Sequence, residues 1–226
     1  MSVRTTDRQA PAGSSFTGLH RFHGGLVLPA HSEMSTSHPV TFAGIPDELV
    51  IPLQQHIGEI ATPRVRPGDT VLKGQRIAAP RGNVSCPVHA TSSGTVTAIE
   101  PRPFPHPSGM TVSSIVITTD GRDSWQSADT SLADYRQASP GALLEHIHNA
   151  GIVGLGGAGF PTAVKLGNAT GHDIDLLLIN GVECEPYITC DNMLMQERSG
   201  EILQGIFHPA TYPATETLCH LSLIHI

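Results

Sequence analysis

The sequence predicts an α+β protein of two unequal parts: an all-β domain over residues 40–120, then the start of an α/β domain over 139–206. Three observations predict it. Between Val40 and Asp120, short apolar stretches alternate with turn residues, the pattern of a small antiparallel β fold. From Ser139 the apolar spacing becomes that of helices around one uninterrupted aliphatic run, Leu176-Leu177-Leu178-Ile179, as in a parallel strand covered on both faces. The composition of 23 Gly and 18 Pro in 226 residues, with 15% charged and 4% aromatic side chains, suits loops and compact strands better than long exposed helices.

Taken in order, residues 1–39 read as a leader and an N-terminal segment. Met1 to Ser15 has no apolar core, so it is no secretory signal and is expected to be disordered. Glycine and proline exclude a helix from 16–40, which is expected to be extended against the following module. In the β-domain, Leu49-Val50-Ile51-Pro52-Leu53 is the first strand. Pro67-Gly68-Asp69 turns into a strand over Val71 to Ala78, and Pro87 to Ala90 is the next. Ser92-Ser93-Gly94 turns into Thr95 to Ile99, and Ser114 to Thr118 closes the set. Residues 121–138 form a linker whose Trp125 is expected to be a packing anchor rather than a stacking platform.

Ser139-Pro140 starts a helix by side-chain cap and first-turn proline, Leu143, Leu144 and Ile147 form its apolar face, and Gly151 stops it. A short helix over 161–168 and a strand from Ile174 to Ile179 follow. Thr189 or Asp191 caps a last helix carrying Met195, Ile202, Leu203 and Ile206 on one face. His208-Pro209 breaks that helix, and 207–226 are expected to have no partner element. An α/β domain with one clear strand is unfinished, so the chain reads as a truncated piece with an aberrant tail.

The formal charge of -7 without a basic cluster argues against nucleic acid as partner, and no aliphatic run is long enough to span a bilayer. None of Cys86, Cys184, Cys190 and Cys219 stands in a C-x-x-C pair, so no zinc site or iron–sulfur cluster is legible and no metal ligand is assigned. With no signal peptide, these are expected to be free thiols in a reducing compartment.

The chemistry concentrates between Gly151 and Asp191. Gly151-Ile152-Val153-Gly154-Leu155-Gly156-Gly157-Ala158-Gly159-Phe160-Pro161-Thr162 holds five glycines, which let backbone amides approach a ligand without a Cβ in the way. Pro161 suits a first helical turn, where phosphate binds well, and Lys165 one turn later can direct a cation back to the same ligand. A nucleotide-type site is expected. The spacing Gly154-x-Gly156-x-x-Gly159 matches the dinucleotide fingerprint only formally, because no strand precedes it and no acid ends the strand that follows. After the aliphatic strand come Asn180, Glu183 and Glu185. The two carboxylates share a face in extended chain and suit hydrogen bonds from ligand hydroxyls, with Cys184 facing away. Nothing supplies a nucleophile or a metal partner, so no catalytic residue is assigned.

Two resemblances sharpen this. Arg66 to Gln75, with Pro87 to Val96, resembles the two halves of a biotinyl/lipoyl-type hammerhead, a barrel-sandwich β-domain. The stretch matching that family's carrier hairpin, Pro80-Arg81-Gly82-Asn83-Val84-Ser85-Cys86, has no lysine, which leaves a structural or docking role. The run from Gly154 to Lys165, with Asn180-Gly181-Val182-Glu183-Cys184-Glu185-Pro186-Tyr187, resembles the FMN- and NADH-binding core of complex I flavoprotein subunits. Adding Val50 to Gly58 and the hammerhead, residues 17–206 resemble the C-subunit family of Rnf/Rsx ion-translocating electron-transport complexes.

That resemblance implies an NADH:acceptor oxidoreductase subunit, peripheral on the cytoplasmic side of the bacterial inner membrane. It would be held there by partner subunits and pass electrons through FMN and 4Fe-4S clusters. Gly154, Gly156, Gly157, Ala158 and Gly159 would line the FMN, Phe160 would stack near the nicotinamide, and Lys165 would contact flavin or nucleotide. Asn180 and Glu183 would hydrogen-bond FMN and Glu185 would face NADH. The family's cysteine-rich cluster motifs are absent from this sequence, so the chain by itself is expected neither to hold FMN tightly nor to oxidise NADH. A non-catalytic docking module with an α/β appendage is the alternative from another class. A soluble complex I-type flavoprotein subunit is the nearest enzyme alternative, disfavoured by the leading β-domain.

Overall fold

The computed structural model describes residues 28–127, 135–155, 159–168, 176–181, 183, 185–210 and 218–222. Expectations for the leader to residue 27 lie outside them.

Seven antiparallel strands make the first domain: β1 (Glu48–Pro52), β2 (Thr62–Pro63), β3 (Thr70–Val71), β4 (Arg76–Ala79), β5 (Val88–His89), β6 (Gly94–Pro103) and β7 (Thr111–Thr119). They form one sheet in the order β1-β7-β6-β3 and a second in the order β2-β4-β5. Period-2 alternation sends Val96 into the core and Thr95 and Thr97 outward. Pairing Leu49 with Ile117 and Ile51 with Ile115 sets the register that fills that core, and a one-residue slip would expose it. Val71, Ile77 and Val88, from strands of both sheets, complete the cluster.

The turns are tied by side chains. The Asp69 carboxylate accepts from the Arg66 amide at 2.8 Å, and Gly68 donates to the Val96 carbonyl at 2.7 Å. The expected single strand from Val71 to Ala78 is in fact two, β3 and β4. A turn separates them in which Gln75 donates to the Leu72 carbonyl and Gly74 to the Ala90 carbonyl.

The linker is strapped to that turn. Lys73 Nζ donates to Asp123 at 2.6 Å, Lys73 N donates to Ser124 O, and Gln126 N donates to Lys73 O. Trp125 is thereby anchored, but by its backbone and one ring face, and 68% of the residue stays exposed. The expectation of an apolar packing anchor needs that correction.

The second part opens with α1 (Pro140–Asn149). The Ser139 hydroxyl accepts from the Ala142 amide at 3.3 Å, and Leu143 and Ile147 are buried. Then come α2 (Thr162–Asn168), β8 (Leu176–Asn180), α3 (Cys190–Glu197), α4 (Ser199–Ala210) and β9 (Leu218–Ser222). Three expectations change here. The last helix is two helices, divided at Arg198, whose amide donates to the Leu194 carbonyl at 2.8 Å. Pro209 does not break α4 at 207: the helix runs on to Ala210, although the proline has no N–H to donate toward Gly205. The tail has a partner after all: β9 runs parallel to β8 from Leu176↔Leu218 to Asn180↔Ser222, which gives the aliphatic strand a neighbour.

The N-terminal segment also differs. A 3-10 turn at Ser32–Met34 interrupts it, and its described residues Ala30, Ser35 and Val40 meet the α/β part. Ala30 O accepts from the Tyr187 amide at 2.8 Å, the Ser35 hydroxyl donates to Tyr187 O at 3.0 Å, and Val40 N donates to Glu197 Oε1 at 3.0 Å.

Candidate functional site

The glycine stretch is a closed hairpin. Thr162 N donates to Ile152 O at 3.0 Å, Gly154 N donates to Phe160 O at 2.9 Å, and Val153 bridges Pro161. These contacts return the chain to the start of α2. Gly154 uses its own amide in that closure, so it shapes the loop rather than presenting a free donor. Gly156, Gly157 and Ala158, the expected amide donors, lie outside the described residues. Phe160 is half-buried at the hairpin base and Pro161 is fully buried beneath it.

Lys165 sits where helical periodicity sends it. Its Nζ lies 4.0 Å from where a Cβ on Gly154 would stand, so the cation points back at the hairpin. Among the described residues no carboxylate forms an ion pair with it.

The β-domain supplies the floor. Ile57 N donates to Gly159 O at 3.3 Å, and Gly159 adopts φ +58 with no room for a side chain: a Cβ there would stand 2.8 Å from Gln55 O. Only glycine tolerates both constraints at once. Gly151, at φ +70, has the same double requirement, since a Cβ would meet Pro87 O at 2.8 Å and the His89 ring at 3.0 Å.

Behind this seam His56 is buried. Its Nε2 accepts from the Cys86 amide at 3.0 Å, which leaves the proton on Nδ1 facing the Ile57 carbonyl at 3.0 Å. Ser85 donates to Glu59 O at 3.0 Å. The imidazole thus ties the segment under Gly159 to the loop that replaces the carrier hairpin. Cys86 is buried beside it, and burial pushes its thiol above the ordinary range, which makes it a structural group rather than a nucleophile. Burial, reinforced by the Arg76 charge, pushes His89 below the ordinary imidazole range, against the raising effect of a hydrogen bond that the ring donates to the Asn149 backbone.

The strand-end residues divide. Asn180 ends β8 and is exposed. Glu183 turns to α3, where its Oε1 accepts from the Asp191 amide at 2.7 Å, so it supplies the cap expected of Thr189 or Asp191. The Thr189 hydroxyl instead donates to Ser35 Oγ at 2.9 Å. Cys190 beside it has its thiol raised, first by burial and then by its bond with Glu183. Glu185 is exposed, while Val182 and Cys184 lie outside the described residues. Among the described residues no hydrogen bond or ion pair joins Glu183 or Glu185 to the hairpin. Tyr187 follows at φ +69, its ring stacked on His31 with centroids 4.8 Å apart.

The structure therefore brings Gly154, Gly159, Phe160 and Lys165 into one constellation and gives Glu183 a capping role. Sequence reasoning missed His56, Ser85 and the His31–Tyr187 stack. The one available signal was His56 itself, inside the run Gln54-Gln55-His56-Ile57-Gly58.

Comparison with known proteins gives both parts a counterpart. Residues 20–122 match the RnfC barrel sandwich hybrid domain and residues 147–217 the Nuo51 FMN-binding domain. The chain is 50% identical over 190 residues to the C subunit of the ion-translocating oxidoreductase complex of Pseudomonas aeruginosa, covering 84% of this chain and 24% of that protein. It is 50% identical over 185 residues to the protein of that name from Yersinia pestis, covering 82% of this chain and 29% of the relative. With the Pectobacterium carotovorum protein it shares 49% over 185 residues. The chain thus spans about a quarter of the length of the curated relatives it matches.

Proposed function

Because the chain belongs to the C-subunit family of ion-translocating oxidoreductase complexes, we propose that it contributes the glycine-hairpin wall of an FMN pocket to an NADH:acceptor oxidoreductase. The observation that carries this reading is Lys165, a cation without an ion-pair partner among the described residues, aimed back at the glycine-rich hairpin. That donor set suits a flavin phosphate. In the proposed pocket Gly156, Gly157, Ala158 and Gly159 offer backbone amides, Lys165 neutralises phosphate, and Gly154 keeps the hairpin closed. Asn180 accepts or donates at the flavin edge. Glu183 reaches FMN only with the oxygen that α3 leaves free. Phe160 packs near the nicotinamide and Glu185 accepts from ribose hydroxyls of NADH. Bound FMN supplies the exchange between hydride and single electrons, while these residues bind and orient.

The 4Fe-4S clusters are assigned to sequence beyond these 226 residues, since the four cysteines here include no C-x-x-C pair. Among the described residues no helix is long and apolar enough to cross a membrane. Attachment is therefore proposed to run through partner subunits, on the cytoplasmic face of the inner membrane.

The test is an FMN titration of this chain, followed by flavin fluorescence. Weak saturable binding is expected, weakened about tenfold in Lys165→Gln by loss of one charge-assisted contact, together with no NADH oxidation by the chain alone. Absence of saturable binding, or indifference to Lys165→Gln, overturns the hairpin as flavin contact. FMN co-purifying at one equivalent overturns the claim that the pocket is incomplete.

A further inference from the structure

A second recess lies in the seam between the β-domain and the C-terminal end of α1. It is a cleft of about 670 Å³ lined by Lys73, Arg76, His89, Trp125, His146 and Asn149 among others. The volume falls within the range of small-molecule sites. We propose that this cleft binds an aromatic oxyanion, a planar ring carrying a phosphate or carboxylate, with Arg76 taking the anion and Trp125 the ring. The inference does not rest on the flavin reading, because the lining shares no residue with the hairpin.

Charge is the first argument. No carboxylate lines the cleft among the described residues, whereas two permanent cations and two imidazoles do. Lys73 is matched by Asp123, which it meets at 2.6 Å. Among the described residues Arg76 has no such partner: its Nη2 donates to Asn149 Oδ1 at 2.9 Å, and that neutral amide leaves the positive charge uncompensated and most of the five guanidinium donors unused. Burial first and the Arg76 charge second hold the neighbouring His89 imidazole below its ordinary range, which leaves Arg76 as the cation an oxyanion would meet.

Trp125 is the second argument. Its backbone is clamped on both sides to Lys73, at 2.9 Å from Ser124 O and 2.9 Å to Gln126 N. One ring face rests against Gly74, with Lys73 Nζ 4.8 Å from the ring centroid, yet the residue is 68% exposed. A rigid indole offered to solvent beside cations is a platform for a flat ring, at little entropic cost. A purely structural seam explains the Arg76–Asn149 bond but leaves the open indole without a use.

Trp125 is the only tryptophan in the chain, so its emission reads this cleft directly. The probes are adenosine 5′-monophosphate, adenosine and inorganic phosphate, added to the 226-residue chain. Saturable quenching by the monophosphate is expected, with adenosine and phosphate each at least about tenfold weaker. Arg76→Gln is expected to weaken the monophosphate about tenfold, and Lys165→Gln to leave it unchanged. As a readout that needs no variant, the His89 imidazole resonance should titrate at higher pH with the monophosphate bound than with adenosine. Non-saturable quenching overturns the proposal, as does an Arg76→Gln chain of unchanged melting temperature that binds as tightly. Equal loss in Lys165→Gln also overturns it, by moving the ligand to the hairpin.

Discussion

The β-domain and the α/β part hold their shapes by different means. The β-domain closes on itself: two sheets bury Ile51, Val71, Ile77, Val96, Ile115 and Ile117 in one shared cluster, and its turns are tied by their own residues. The α/β part borrows its positioning. Its glycine hairpin rests on Gln55 to Ile57, its Gly151 turn on Pro87 and His89, and Tyr187 on His31. The glycine hairpin and the strand-end residues therefore sit on the half that is held from outside, and the barrel-sandwich fold serves as their foundation. A hammerhead without an attachment lysine keeps a purpose in this arrangement.

That asymmetry makes predictions in descending size. Ile117→Ala should cost about 2–5 kcal/mol, because it empties a fully buried site where two strands meet. Its denaturation should take both parts down together, whereas survival of a protected glycine hairpin would contradict the dependence. Gly159→Ala should cost about 1–3 kcal/mol through a left-handed φ and the close approach of Gln55 O. The loss should be local: limited proteolysis near 155–160 should speed up while the exchange-protected amides of β6 and β7 stay unchanged. Ser139→Ala should cost about 1 kcal/mol and fray only the first turn of α1, seen as faster amide exchange at Ala142.

The smallest effect concerns pH. His89 has its folded value below the ordinary 6.5. The unfolded chain therefore takes up this proton first as pH falls, and the folded state is the poorer in protons across the window below 6.5. The stabilisation is complete above that value and is lost on acidification through it. Comparing urea midpoints on either side of pH 6.5, the wild-type chain should lose more than His89→Gln, and equal slopes would remove His89 from the seam energetics.

The elements set by local chemistry were legible in the sequence. Alternation around Val96, the Pro67-Gly68-Asp69 turn and the Ser139 cap depend on residues within a few positions of one another. Period and capping carry that information without help from the rest of the fold. What only the tertiary structure decided involves partners far apart in the chain. Glu183 became a helix cap through the amide of Asp191, and α4 ran on past Pro209 to Ala210. The strand at Leu218–Ser222 acquired meaning only beside Leu176–Asn180. His31 met Tyr187 across 156 positions, and Gly159 was required by the carbonyl of Gln55 rather than by any motif around it. Period and propensity cannot encode such contacts, because the free energy of packing is decided by which surfaces meet.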